Sequence, residues 1–212
     1  MKIAVIVLKK IDLTNLVKNY PNADYFGIEN GAISLAKTNL KFQAYGDFDS
    51  VSLDDLNLVK DKASNFIKLN PIKDVTDTEG LVHCIYSKYD KIIIYSAIQG
   101  KRIEHFLANL NILYKYNNVE LLDENSKVEF FKIGQYYFDY LNYPYKYFSF
   151  FTYTIAEITL KKFKYELDSY MLKPFDSLGI SNELGSLNEG ELIIKQGNVI
   201  GFFSKDDHKK QN

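Results

Sequence analysis

The apolar residues of this chain change their spacing once, close to Asp123, and that change calls for two different textures in series. Before it, short β-branched runs at residues 2–8, 24–28, 42–45, 66–69, 91–97 and 119–122 alternate with stretches whose apolar residues recur every three or four positions. The spacing predicts helices over 53–63, 77–89 and 104–116, the last with Phe106, Leu107, Leu110, Leu113 and Tyr114 on one stripe. Strand and helix repeated in this way imply a mainly parallel, helix-covered sheet, an α/β domain whose ligands sit beyond the carboxyl ends of the strands. After Asp123 the helical spacing is gone. Runs at 128–133, 147–153, 154–160, 192–195 and 199–204 follow one another, with turn signals at Asn142-Tyr143-Pro144, Gly190 and Gly197-Asn198. That is the all-β pattern of an antiparallel sandwich or barrel. The division expected is residues 1–123 and residues 124–212, which a length of 212 at about 150 residues per domain allows.

Composition narrows the possible functions. A formal charge of −1, from 26 basic and 27 acidic residues, supplies no field to draw in nucleic acid or an anionic membrane. The single cysteine, Cys84, makes no intramolecular disulfide, and its spacing from Leu81 predicts a buried core position. No run approaches the roughly 20 apolar residues of a membrane span, and the apolar run 3–8 is too short for the core of a secretion signal. A cytoplasmic protein is expected. Of 17 Tyr and 15 Phe, 17 lie between Phe130 and Phe175, a surplus that strand propensity, a subunit interface or a flat-ligand pocket would each explain.

Three loops carry the chemistry, each placed after a strand and before a helix. In Gly46-Asp47-Phe48-Asp49-Ser50, an extended backbone would aim Asp47 and Asp49 at one point and turn Phe48 into the core. Paired carboxylates suit magnesium that keeps open positions for phosphates, although the same residues, with Ser52, also suit a helix cap. In Lys73-Asp74-Val75-Thr76-Asp77-Thr78-Glu79, Thr76 and Glu79 have the spacing of a capping box, and Asp74 or Asp77 is placed to complete a metal shell. In Gln99-Gly100-Lys101-Arg102-Ile103-Glu104-His105, Arg102 is the one arginine among 26 basic residues, a choice that favours a planar fork for phosphate. His105 and Asn109 follow four apart on one helical face. Ser181-Asn182-Glu183 reads by composition as a turn.

Taken in order, G-D-F-D-S, K-D-x-T-D-T-E, G-x-R-x-x-H-x-x-x-N and a late I-S-N-E resemble the thiamine pyrophosphokinase family over about residues 26–204. The resemblance implies an ATP- and magnesium-binding catalytic domain, a β-sandwich, and a homodimer whose clefts bind thiamine. The implied reaction moves the diphosphate of ATP to the thiamine hydroxyl and yields thiamine diphosphate and AMP. Carried over by position, Asp47, Asp49, Asp77 and Glu29 would hold Mg2+. Ser50, Lys73, Asp74, Thr76, Arg102 and His105 would surround the phosphates with Asn109 nearby, and Ser181 and Asn182 of the partner subunit would contact thiamine. The chain departs from the family pattern at Leu8-Lys9-Lys10, where an Asn-Gly turn is expected, at Lys101 in place of a second glycine, and at Glu104 in place of aspartate. Metal-dependent glycosyl or nucleotidyl transfer and a catalytically inactive nucleotide-binding relative are the alternatives.

Overall fold

The computed structural model describes residues 1–69, 74–98, 100 and 102–206. The chain divides into two compact units, Met1–Asp123 and Glu124–Asn212.

In the first unit, β1 (Ile3–Val7), β2 (Asp24–Ile28), β3 (Phe42–Gly46), β4 (Asn65–Lys68), β5 (Lys91–Tyr95) and β6 (Val119–Leu122) lie in the order β4-β3-β2-β1-β5-β6. Every neighbouring pair is parallel. The helices are α1 (Thr14–Asn19), α2 (Asn30–Ala36), α3 (Leu53–Lys62), α4 (Asp77–Ile85) and α5 (Ile103–Lys115), with a 3-10 turn at Tyr86–Lys88. Val5, Val7, Ile93 and Tyr95 pack in one cluster with Ala32, Ile33 and Leu35 of α2 and Val59 of α3. The alternate residues Ala4, Ile6, Ile92 and Ile94 are equally buried, so both faces of these strands are covered.

Local chemistry sets the helix starts. Ser52 caps α3 by accepting from the Asp55 N–H at 3.2 Å, and Thr76 caps α4 by accepting from the Glu79 N–H at 3.1 Å. The Glu79 carboxylate does not close the expected capping box; it pairs with Lys115 at 2.5 Å. Periodicity misses α2 because Gly31 through Ala36 are all buried, which leaves no polar face to alternate with an apolar one. In α5 the buried side is Asn109, Leu110, Ile112 and Leu113, whereas Leu107 and Tyr114 from the expected stripe are exposed. Cys84 is exposed too: α4 buries Thr78, Leu81, Val82 and Ile85, and Cys84 falls off that stripe.

The second unit is all β. Strands β7 (Ser126–Phe131), β8 (Gly134–Asp139), β9 (Tyr147–Phe151), β10 (Ala156–Lys161), β11 (Leu167–Leu172), β12 (Glu189–Gln196) and β13 (Val199–Ser204) pair antiparallel. One set runs β7-β13-β9 and the other β11-β10-β12-β8. Their inner faces share a core of Phe131, Phe138, Phe148, Phe150, Phe163 and Phe203 with Ile158, Leu160, Leu172, Leu192 and Ile194. Much of the aromatic surplus is therefore core, while Tyr137, Tyr140, Tyr153, Tyr165 and Phe175 are exposed.

Candidate active site

The carboxyl ends of the parallel strands in the first unit open onto a cavity of about 940 Å³. Its wall is built from the segments after β1, β2, β3 and β5 and from the first turns of α4 and α5. Glu29 follows β2, Asp47 follows β3, and Asp77 opens α4. Carboxylate oxygens of these three residues lie within 4.8 Å of one another. At an effective dielectric near 20, each such pair repels by about 3 kcal/mol, which a divalent cation offsets. Hard oxygen donors in this number fit a magnesium-type ion that keeps further positions for water or phosphate.

The backbone is bent to bring them together. Glu29 has φ 45°, a left-handed conformation that costs a non-glycine residue about 1 kcal/mol or more. Its N–H is held by the Tyr45 carbonyl at 3.2 Å, which ties the end of β2 to β3. Gly46, with φ 148°, makes room: a Cβ there would come 2.8 Å from Cγ of Glu29.

Asp49 is arranged differently from the expectation. Phe48 has φ 56°, so the segment turns rather than extends, and the Asp49 N–H donates to Oδ1 of Asp47 at 3.3 Å. Phe48 is buried and stacks on Phe66 with ring centres 4.8 Å apart. Asp49 and Ser50 consequently line the cavity from an exposed turn, and Asp49 stands outside the carboxylate group of Glu29, Asp47 and Asp77.

The remaining expected residues separate by role. Thr76, Arg102, His105 and Asn109 all line the cavity, whereas Asp74 is exposed and does not. Lys73 lies outside the described residues. Arg102 directs Nε to Glu104 at 2.8 Å, and that hydrogen bond holds the Glu104 carboxyl below the usual carboxylate range. Glu104 thus steadies the guanidinium on the cavity wall. Asn109 is buried and donates from Nδ2 to the Ala97 carbonyl at 3.0 Å, and the Ile98 N–H donates to Asp123 at 3.4 Å. Asn109 therefore pins the loop after β5. Lys9, Ser96 and Thr78 also line the cavity. Thr78 belongs to the T-D-T-E segment; no motif marks Lys9 or Ser96, but both stand just past strand carboxyl ends, the position where ligands of such sheets bind.

In the second unit, Asn182 is 4% exposed. Its Oδ1 accepts from the N–H groups of Tyr165 and Glu183 at 3.0 and 2.9 Å, and Nδ2 donates to the Tyr165 carbonyl at 2.7 Å. With its amide bonded to the backbone of Tyr165 and Glu183, Asn182 fastens the loop to which Ser181 belongs. Ser181 is exposed at φ 56°, its N–H donating to Oγ of Ser149 at 2.9 Å.

Comparison with known proteins gives these two units separate matches. Residues 28–122 match the thiamin pyrophosphokinase catalytic domain, and residues 136–199 match the thiamin pyrophosphokinase vitamin B1 binding domain. The chain is 30% identical over 189 residues to the thiamine pyrophosphokinase of Bacillus subtilis, covering 86% of this chain and 87% of that protein. The crystal structure of thiamine pyrophosphokinase from Bacillus subtilis resembles it with TM-score 0.83 at 28% identity, covering 97% of this chain and 100% of the other. That of thiamin pyrophosphokinase from Candida albicans shares the fold with TM-score 0.79 at 16% identity, over 97% of this chain and 89% of the other. No helix among the described residues is long and apolar enough to cross a membrane.

Proposed function

The chain belongs to the thiamin pyrophosphokinase family, and from that premise we propose how its cavity performs diphosphate transfer from ATP to thiamine. The observation that carries the reading is the convergence of Glu29, Asp47 and Asp77 within 4.8 Å at the strand ends. These three residues would hold Mg2+, which when bound neutralises phosphate charge and draws electron density from phosphorus. Arg102, steadied by Glu104 at 2.8 Å, presents a fork to phosphate oxygens, with His105 beside it. Thr76 and Ser50 offer hydroxyl groups on the same wall.

In the reaction, the thiamine hydroxyl oxygen bonds to the β-phosphorus of ATP, and the bond from that phosphorus to the α,β-bridging oxygen breaks. AMP leaves with that oxygen. Because such transfers depend mainly on alignment and charge compensation, the protein's contribution is a preset arrangement of charges. Asp49 lines the cavity outside the carboxylate group and is the residue we assign to receive the hydroxyl proton. Thiamine recognition draws on Ser181 of a second copy in a homodimer, with Asn182 keeping its loop in shape. The single cysteine fits a reducing cytoplasm.

The test is the purified protein with ATP, magnesium and thiamine, followed by chromatography. Equal amounts of AMP and thiamine diphosphate are expected; ADP as the thiamine-dependent product would overturn β-phosphorus attack. Asp47→Asn should lower turnover about a hundredfold or more with an unchanged circular dichroism spectrum. Wild-type turnover in that variant would remove the metal assignment.

A further inference from the structure

The strand order β3-β2-β1-β5 sorts the charged groups of the cavity. Glu29 and Asp47 stand at the ends of β2 and β3, while Lys9 and Ser96 stand just past β1 and β5. The Lys9 and Ser96 segments are neighbours: Val7 is opposite Tyr95, and the Leu8 N–H donates to the Tyr95 carbonyl at 3.2 Å.

Ser96 is unusual in three respects together. It is 4% exposed and lines the cavity. It holds φ 63°, a conformation that glycine adopts at lower cost. Its Oγ is buried with no hydrogen-bond partner among the described residues, although its own N–H is anchored to the Leu122 carbonyl at 2.9 Å. A buried hydroxyl without a partner is unfavourable, and a serine in the left-handed region adds to that cost. Both costs fall on one residue that faces a ligand cavity, which is where a bound group would supply the missing hydrogen bond. Lys9, on the neighbouring segment and lining the same cavity, supplies a positive charge. A Cβ on Gly100 would come 3.0 Å from Nζ of Lys9, so Gly100, at φ 156°, leaves the space that the ammonium occupies.

We propose that the Ser96 hydroxyl and the Lys9 ammonium form a phosphate-oxygen subsite on the β1–β5 side of the cavity, facing the carboxylates on the β2–β3 side. A diphosphate lying across the strand ends would then meet cation-binding carboxylates at one end and a cation with a hydroxyl donor at the other. The inference rests on the diphosphate-transfer reading for the identity of its ligand. No motif of the sequence marks either residue.

The experiment is titration calorimetry of the full chain with Mg-ATP, magnesium pyrophosphate and adenosine. Ser96→Ala removes the hydroxyl and keeps the strained backbone; Ser96→Gly removes the hydroxyl and relieves the strain. Both should bind Mg-ATP and magnesium pyrophosphate about tenfold more weakly than wild type while adenosine binding is unchanged, and Lys9→Met should do the same. Ser96→Gly should also melt no lower than wild type, which separates lost contact from lost folding. Wild-type affinity for both phosphate ligands in the two Ser96 variants would overturn the subsite. So would a loss confined to adenosine, which would give the hydroxyl to the nucleoside. Product analysis of the wild type is read separately: failure to form AMP and thiamine diphosphate would sink the reaction while leaving a measured pyrophosphate subsite intact.

Discussion

The two units bury their cores with different materials. In the first, the central strands contribute Ala4, Val5, Ile6 and Val7 from β1 and Ile92, Ile93 and Ile94 from β5, an unbroken aliphatic run. In the second, Phe131, Phe138, Phe148, Phe150, Phe163 and Phe203 meet in a ring-filled interior where Phe138 has centroid distances of 5.7 Å to Phe148 and 5.6 Å to Phe203. A parallel strand covered by helices on both faces has little room on either side, so compact β-branched residues fill it. Two sheets packed face to face are separated by about 10 Å, and large rings bridge that space from one inner face. The aliphatic arrangement leaves the strand ends of the first unit to carry polar loops. The aromatic arrangement commits side chains inward and polar groups to turns.

Three perturbations test this contrast. The largest effect is expected from Phe138→Ala, which removes a ring in contact with several others and should cost about 4 kcal/mol, read as a lower midpoint in denaturant. A loss below about 1 kcal/mol would mean that the ring core is loosely packed and the contrast is one of composition only. A smaller loss is expected from Lys91→Met in the first unit. Lys91 pairs with the buried Glu120 at 2.8 Å across β5 and β6, and removing that cation from a buried carboxylate should cost about 3 kcal/mol. Lys91→Arg should recover most of it. The smallest concerns pH. Burial pushes the Tyr25 hydroxyl up to about 12, and burial with a hydrogen bond to Asp24 does the same for Tyr89. A folded pKa raised above the ordinary value near 10 contributes stability that is complete below pH 10 and is lost as pH rises through 12. Thermal melts at pH 9 and pH 11 should therefore show a smaller alkaline decrease in Tyr25→Phe than in wild type, and an equal decrease would detach Tyr25 from the alkaline transition.

Strain distinguishes the units as well. Glu29, Phe48 and Ser96 hold positive φ after the carboxyl ends of β2, β3 and β5; Glu29 and Ser96 line one cavity, and Phe48 lies between its lining residues Asp47 and Asp49. Lys162, Ser169, Phe175, Ser181 and Asn188 hold it in the second unit, where it bends loops and an irregular strand. None of these positions was readable in advance, because a serine or glutamate in the left-handed region has no local sequence signature of the kind that Asn-Gly gives a hairpin. The extended reading of Asp47-Phe48-Asp49 failed for this reason: stacking on Phe66, distant in sequence, fixed Phe48 in a turn and moved Asp49 away from the carboxylate cluster. Likewise Asn182, an ordinary turn residue by composition, became an inward staple through the backbone of Tyr165.

What the sequence determined alone was whatever depends on neighbours a few positions apart. The six strands of the first unit follow from β-branched runs, the starts of α3 and α4 from Ser52 and Thr76, and the candidate metal and phosphate loops from acidic and hydroxyl residues placed after strands. The tertiary structure alone decided what depends on distant chain segments meeting. It buried Gly31 through Ala36 of α2 without an amphipathic stripe and brought Glu29, Asp47 and Asp77 from three separate connections to within 4.8 Å. It also set Ser96 and Lys9 side by side at the ends of adjacent strands. Spacing along the chain encodes the first kind of information because local hydrogen bonds and periodic burial act over one or two turns; the second arises only when parallel strands align their carboxyl ends.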